Sequence, residues 1–414
     1  MAHLRLEERL DSFRSEMHTA VLFGSGMEEQ VGHEIKLAGG SRALIHYGRQ
    51  NVTDPALLAR VKHSCDEAGV DYEELGGALK NTRMSVIEEG IRMCREDQLD
   101  FVLAIGGGSA VGSAKAIAAG ACWEGPFRDC IERGREVGGA LPMGVVVTVP
   151  GSGSELSNSV PVTDDPPQGG RELGLWLLKS DFLYAKFAVC NPEIVTCFPK
   201  HLGLSFANIF ARVCECFFNG GCPGLNEEIC AATLRVLVRS LRRLEIDPTD
   251  TDALSDLMGA GIDAYTRCGA EGSGEEAVEA FALAFKKLYD CSHGQAVGVI
   301  FPAWAESVLY KDVGRMARLM SGAFSIPWDG QPEGAESCAR AGLATVRRIF
   351  KDLGLPSGFE ALGGSGADIA RLLDIAGLRD GAAIGTYEKL NRDRCEAMLS
   401  LVLVEKARGR LSGA

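Results

Sequence analysis

The chain has 414 residues, too many for one ordinary core, and predicts two domains of about 150 to 250 residues each. Its 46% hydrophobic and 24% charged content suits a globular protein, and 43 Lys plus Arg against 56 Asp plus Glu, a formal net charge of −13, argues against nucleic acid or an anionic membrane as partner and leaves a small molecule. The 14 cysteines lack the paired CxxC spacing of a zinc site, and no apolar run reaches about 18 residues, so free thiols and a cytoplasmic location are expected.

In chain order, Arg5-Leu6-Glu7-Glu8-Arg9-Leu10 predicts a charged amphipathic helix. From Val21 to about Ile194, β-branched runs alternate with segments of helical period, the pattern of a parallel sheet covered by helices. The clearest runs are Ala43 to Tyr47, Phe101 to Ile105 and Gly144 to Val149, each ending in a glycine-bearing turn. Beyond Pro199 helical periodicity continues to Lys406, with breaks near Gly220 to Pro223, Gly269 to Gly274, Pro327 to Gly334 and Gly363 to Gly366. The expected architecture is an α/β nucleotide-binding domain with a Rossmann-like parallel sheet over 1–195, an all-α domain over 196–414, and a cleft between them.

Phe101-Val102-Leu103-Ala104-Ile105 leads into Gly106-Gly107-Gly108-Ser109-Ala110-Val111-Gly112-Ser113-Ala114-Lys115. Consecutive glycines let the backbone approach an anion, and the helix that follows offers free N–H groups and the positive end of its dipole. The run is not a Walker loop, because Gly112 is not followed directly by Lys-Ser or Lys-Thr, and Ser109 and Val111 break the GxGxxG spacing. A second turn, Thr148-Val149-Pro150-Gly151-Ser152-Gly153-Ser154-Glu155, ends the next strand. Two such turns side by side suit a diphosphate and ribose, with Gly106, Gly107, Gly108, Ser109, Thr148, Ser152 and Ser154 as candidate contacts.

These residues give the chain a likeness to the iron-type (group III) alcohol dehydrogenase family, in its butanol-dehydrogenase-like branch. The likeness is carried by Phe23-Gly24-Ser25-Gly26, the GGGS turn, the PGSGSE turn, Phe198-Pro199-Lys200, Ser292-His293-Gly294-Gln295, Ile300-Phe301-Pro302-Ala303-Trp304 and Ile384-Gly385-Thr386-Tyr387 with Lys389-Leu390-Asn391. The resemblance implies the dehydroquinate synthase-like fold of that family, a helical domain holding a metal, reversible reduction of an aldehyde by NAD(P)H, and a homodimer.

The chain departs from the family pattern at the metal. Where the family has Asp and His four residues apart on one helix, this sequence has Asn208 and Arg212; where a third metal ligand falls, it has Glu279; only His293 keeps its identity. A guanidinium has no lone pair and repels a dication, and an amide oxygen replaces carboxylate poorly. The expectation is therefore no metal, with an Arg212–Glu279 ion pair in its place. Arg212 would act as fixed positive donor and His293 as proton source, with Asn208 and Glu279 beside them. Glu279 and His293 would lie ~21 Å apart on one straight helix, so the chain must break between them, with Gly294 as a hint of where. The Asp that the family carries in its glycine turn is here Gly112.

For the cofactor, Gly48-Arg49-Gln50-Asn51 follows the Ala43 to Tyr47 run. Arginine suits a 2′-phosphate and no acid stands there to hold a free 2′-hydroxyl, which favours NADP over NAD. Cys214 and Cys216 flank Glu215, but a CxC pair on a helix points its thiols apart. The expected function is metal-independent oxidation or reduction of a small alcohol or carbonyl compound. The other reading is the same scaffold repurposed, either non-catalytic or carrying out an elimination or cyclisation.

Overall fold

A computed structural model describes residues 16–48, 55–165, 172–195, 201–219, 223–267, 275–379 and 381–411. The helix expected at Arg5 to Leu10, the Arg49-Gln50-Asn51 run and Phe198-Pro199-Lys200 lie outside those residues.

The first half alternates strand and helix: β1 (Ala20–Phe23), α1 (Val31–Leu37), β2 (Arg42–Gly48), α2 (Pro55–Ala68), β3 (Asp71–Ala78), α3 (Met84–Glu96), β4 (Phe101–Gly106), α4 (Gly108–Ala121), α5 (Phe127–Glu132), β5 (Met143–Val147), β6 (Ser159–Thr163), β7 (Leu175–Lys179) and β8 (Phe187–Cys190). Six of the strands form one parallel sheet in the order β1-β8-β5-β4-β2-β3. The inner strands β4 and β5 are buried at every residue, which is why they read as unbroken apolar runs. Separate cores fill the two faces of the sheet: Ala43, Ile45, Leu103 and Val146 on one, Leu44, Val102, Ala104 and Val145 on the other. Strands β6 and β7 form an antiparallel ribbon that seats Trp176 against the second of these cores and leaves Leu177 exposed.

The second half is built from α6 (Leu202–Asn219), α7 (Pro223–Ile246), α8 (Thr251–Arg267), α9 (Glu276–Tyr289), α10 (His293–Val308), α11 (Val313–Phe324), α12 (Pro332–Asp352) and α13 (Ile369–Ile375), then β9 (Ala383–Ile384), β10 (Leu390–Asn391) and α14 (Arg392–Leu411). Among the described residues the Pro327 break precedes α12, which takes in its end from Pro332, and the Gly363 break precedes α13; Gly220 to Cys222 and Gly269 to Gly274 lie outside those residues. The half is not all helix, however: β9 and β10 pair in a short antiparallel ribbon. Helix α10, from His293 through the fully buried Trp304, is buried along most of its length, and Phe210, Phe301 and Phe350 pack edge to face around it. No helix among the described residues is long and apolar enough to cross a membrane.

The halves meet along the second glycine turn. Ser205 of α6 donates to the Pro150 carbonyl at 2.7 Å. A Cβ on Gly151 (φ +103) would lie 2.9 Å from the Ser205 backbone, and one on Gly153 (φ +62) would lie 2.2 Å from the Tyr265 ring of α8. Only glycine permits both the left-handed backbone and these approaches.

Candidate functional site

The two turns expected to cradle a phosphate do lie side by side, at the C-terminal ends of β4 and β5, where Gly106 pairs with Val147. A Cβ on Gly107 would come within 2.9 Å of the Val149 Cβ, and one on Gly108 within 2.8 Å of the Ser152 Cβ, so missing side chains are what let the turns touch. Helix α4 starts without a side-chain cap, leaving its first N–H groups for a ligand, and Gly108 and Ser109 keep partial access to solvent. Thr148 is fully buried, yet its Oγ1 has no hydrogen-bond partner in the protein. Ser152 Oγ accepts from the Ser154 N–H at 3.3 Å.

Behind this cradle Lys115 is fully buried, its ammonium donating to Ser157 Oγ at 3.0 Å and to the Ser157 and Ser159 carbonyls. Burial brings its pKa down to about 7, against the opposing pull of Glu155. The lysine thereby ties α4 to the segment that follows the second turn. Gly48 closes β2 at a bulge and borders a cavity of about 490 Å³, with Tyr47, Pro55, Lys62 and Gly76 also in its wall. At that wall Lys62 pairs with Glu74, which also accepts from the Tyr47 hydroxyl at 3.1 Å.

The second cluster comes from three helices. Asn208 and Arg212 share one face of α6, Glu279 lies in the first turn of α9, and His293 opens α10. The break between α9 and α10 is Asp290-Cys291-Ser292: Asp290 caps α9 in the left-handed region (φ +49), and Ser292 caps α10 in a capping box with Gln295. Gly294 sits two residues past the break. A Cβ there would meet the Leu204 backbone at 2.9 Å, so this glycine lets α10 press against α6.

The chain thus folds back and brings His293 Nε2 to 2.9 Å from Glu279 Oε2, while His293 Nδ1 lies 3.1 Å from Asn208 Oδ1. Both ring nitrogens are engaged. The Glu279 side chain is 55% exposed. Desolvation raises its pKa, but the His293 ring and its hydrogen bond outweigh that and, with Lys286 and Arg212 behind them, hold the carboxyl well below the usual range.

The expected Arg212–Glu279 pair is not the arrangement found. Glu279 pairs with His293, and Arg212 donates from Nη1 to Glu215 Oε2 at 3.2 Å, one turn along its own helix. The i,i+3 carboxylate reaches the guanidinium without crossing the cleft, and Arg212 touches Glu279 only through its charge. Its guanidinium also lies over the Tyr265 ring, 5.6 Å from the centroid. The Glu215 side chain is 12% exposed, and burial pushes its pKa up to about 7 despite Arg212.

Several residues of the site carried no sequence signal. Glu215 was masked by its cysteine neighbours, and the i,i+3 spacing to Arg212 was the available clue. Glu275 caps α9 and accepts from the Thr386 and Tyr387 N–H groups at 3.1 and 2.9 Å, which docks the Ile384 to Tyr387 loop beside the cluster. Gly112 has no room for the family's Asp, since a Cβ would lie 2.6 Å from Thr82 Oγ1 and 2.9 Å from Val160 Cγ2. Among the described residues ten cysteines are free thiols as expected, but Cys216 is disulfide-bonded, which corrects the reading of the cysteines as thiols throughout. Pairing needs only one partner in range, and no CxxC spacing announces it.

The sequence matches the model of the iron-containing alcohol dehydrogenase family over residues 18–192, and that of the C-terminal domain of the same family over residues 205–403. It is 27% identical over 387 residues to NADH-dependent butanol dehydrogenase A of Clostridium acetobutylicum, covering 92% of this chain and 97% of that one. It is 26% identical over 377 residues to the NADPH-dependent aldehyde reductase of Escherichia coli, covering 88% and 92%. The crystal structure of NADH-dependent butanol dehydrogenase A from Thermotoga maritima superposes with a TM-score of 0.84 at 26% identity, over 95% of this chain and 99% of that one.

Proposed function

Given that the chain belongs to the iron-containing alcohol dehydrogenase family, we propose that it is an NAD(P)-dependent oxidoreductase of small alcohols and aldehydes that works without a resident metal. In this reading it is a cytoplasmic homodimer that prefers NADP(H), the preference resting on the sequence of Arg49-Gln50-Asn51.

The residues present fit the nucleotide. Two abutting glycine turns, an uncapped helix start and the partnerless Thr148 hydroxyl give a phosphate and ribose the donors they need. They do not fit the metal. Arg212 has no lone pair to offer, Asn208 offers a neutral oxygen, and His293 has both nitrogens committed, which leaves Glu279 as the one strong anionic donor, already paired. Among the described residues no three His, Cys, Asp or Glu side chains are grouped to hold an ion.

Bound NAD(P)H supplies the hydride. Arg212 presents a permanent positive charge to the oxygen that becomes an alkoxide, and Glu215 and Tyr265 fix the guanidinium for it. His293 gives that oxygen its proton from Nε2, exchanging its hydrogen bond to Glu279 for one to the substrate and ending as the neutral ring, while Asn208 keeps hold of Nδ1. The observation that carries the reading is the His293 ring fastened between Asn208 and Glu279, with Arg212 on the same α6 face as Asn208.

The test is titration of chelator-treated protein with NADPH and NADH, followed by quenching of its 4 tryptophans, and then turnover of a short aldehyde. Binding and turnover should persist without metal, and Arg212→Ala should lower kcat by ~10²- to 10³-fold. Turnover that returns only when iron or zinc is added would refute metal independence. Failure to bind either nucleotide would instead favour the scaffold turned to a non-redox conversion.

A further inference from the structure

Three polar residues without a role in the proposed chemistry are buried: Asn81, Thr82 and Arg83 are 6%, 3% and 4% exposed. Asn81 and Thr82 both lie in the left-handed region (φ 66 and 52), which a β-branched residue rarely enters. Such a conformation persists only where the surroundings over-determine it, and residues held this way cluster at functional sites.

On the sheet side the turn is pinned to β6. The Thr163 N–H donates to the Thr82 carbonyl at 3.0 Å, Thr163 Oγ1 donates to the Asn81 carbonyl, and Arg83 Nη1 donates to the Asp164 carbonyl at 2.7 Å. Thr82 also occupies the space beside α4 that any side chain at 112 would need, so Gly112 and Thr82 fit as a pair. Across the cleft the same turn grips the α9–α10 break. Asn81 Nδ2 donates to Asp290 Oδ1 at 2.8 Å and to the Cys291 carbonyl at 2.9 Å, and Arg83 Nη2 donates to Asp290 Oδ1 at 2.5 Å.

The break has three residues; Asn81 holds two, and the third, Ser292, caps the helix that His293 opens. We propose that the Asn81-Thr82-Arg83 turn is a strut from the nucleotide-binding half that sets His293 against Glu279 and Asn208, with Asn81 and Arg83 as positioning residues acting through Asp290. The catalytic consequence rests on the reading of His293 as proton source; the positional one does not.

The test measures ring accessibility as well as activity. In the full chain and in the Asn81→Ala, Arg83→Gln and Asp290→Asn variants, the rate of diethyl pyrocarbonate modification at His293 is followed by peptide mass spectrometry, with the exposed His33 as internal reference. A ring held on both sides reacts slowly. Asn81→Ala and Arg83→Gln should raise the rate several-fold at His293 and leave His33 unchanged. Asp290→Asn, which keeps an oxygen acceptor, should fall between them and the parent, and it serves where Asn81→Ala does not fold. In the first two variants kcat should drop ~10- to 10²-fold with the KM for cofactor little changed, as expected when a reacting group is displaced by about 1 Å. Unchanged His293 labelling in a folded variant overturns the strut. Faster labelling with undiminished turnover, both there and in His293→Gln, keeps the strut and removes His293 as proton source.

Discussion

Glu215 and Arg212 share one face of α6, and the carboxyl reaches the guanidinium from a nearly closed position. Burial lifts the Glu215 pKa from 4.5 to about 7, so the folded protein favours its neutral form. A carboxyl with a raised folded pKa gives its full stabilisation below about pH 4.5, and that contribution is lost as pH rises through about 7. Glu215→Gln fixes the neutral form. The stability of the parent relative to Glu215→Gln should therefore fall between pH 4.5 and 7 by roughly 3 kcal/mol at most, at 1.36 kcal/mol per pH unit, and stay level above that range. Denaturant melts of both proteins at intervals from pH 4.5 to 8 measure the difference; parallel curves throughout would mean that Glu215 titrates like a solvated carboxyl. The same titration bears on function, because Arg212 faces a full counter-charge only once Glu215 has ionised.

The glycine turns are the elements that sequence disclosed best, since an apolar strand, a run of glycines and a helix leave one physical use for the glycines. Strand β3 was silent: it lies at the sheet edge and alternates exposed and half-buried residues with acids, so no apolar run marks it. A break between Glu279 and His293 was foreseen from distance alone, because 14 positions along one helix cannot bring a histidine to a glutamate; its place at Asp290 to Ser292, ahead of Gly294, was not. The partner of Arg212 was misjudged because a likeness to a metal site suggests contacts across the cleft, whereas the nearest acid stood on the same helix. The Asn81 turn was not read: asparagine tolerates left-handed backbone, but a β-branched threonine following it into that region has no signal in the sequence. Within the cradle, Gly108→Ala puts a Cβ 2.8 Å from the Ser152 Cβ and 2.9 Å from its Oγ. Alanine is better than glycine by ~1 kcal/mol in a helix interior and by less at the first position, so α4 itself should lose nothing, while the second turn is pushed off the first. The Kd for NADPH should rise ~10-fold, about 1.4 kcal/mol, in the fluorescence titration. An unchanged Kd at unchanged stability would show that the two turns do not hold the nucleotide together.

At the scale of the whole molecule, the proposed nucleotide site lies in a seam whose two sides are already joined. Ser205 and Tyr265 reach the second turn from the helical half, and the Asn81 turn reaches Asp290 from the sheet half. A ligand that binds there needs both halves folded, so its binding energy adds to the stability of both. NADPH at 100 times its Kd should contribute ~2.7 kcal/mol and raise the Tm of a single cooperative transition by a few degrees. A resident metal held among α6, α9 and α10 would also add to stability, and a chelator would then lower the Tm. Because His293 and Glu279 already satisfy each other and Glu215 answers Arg212, prolonged dialysis against chelator should leave the Tm unchanged in the presence and absence of NADPH. Scanning calorimetry on the four preparations separates the cases: a chelator-dependent fall would return the ion to the helical cluster and take from Arg212 the role assigned to its charge.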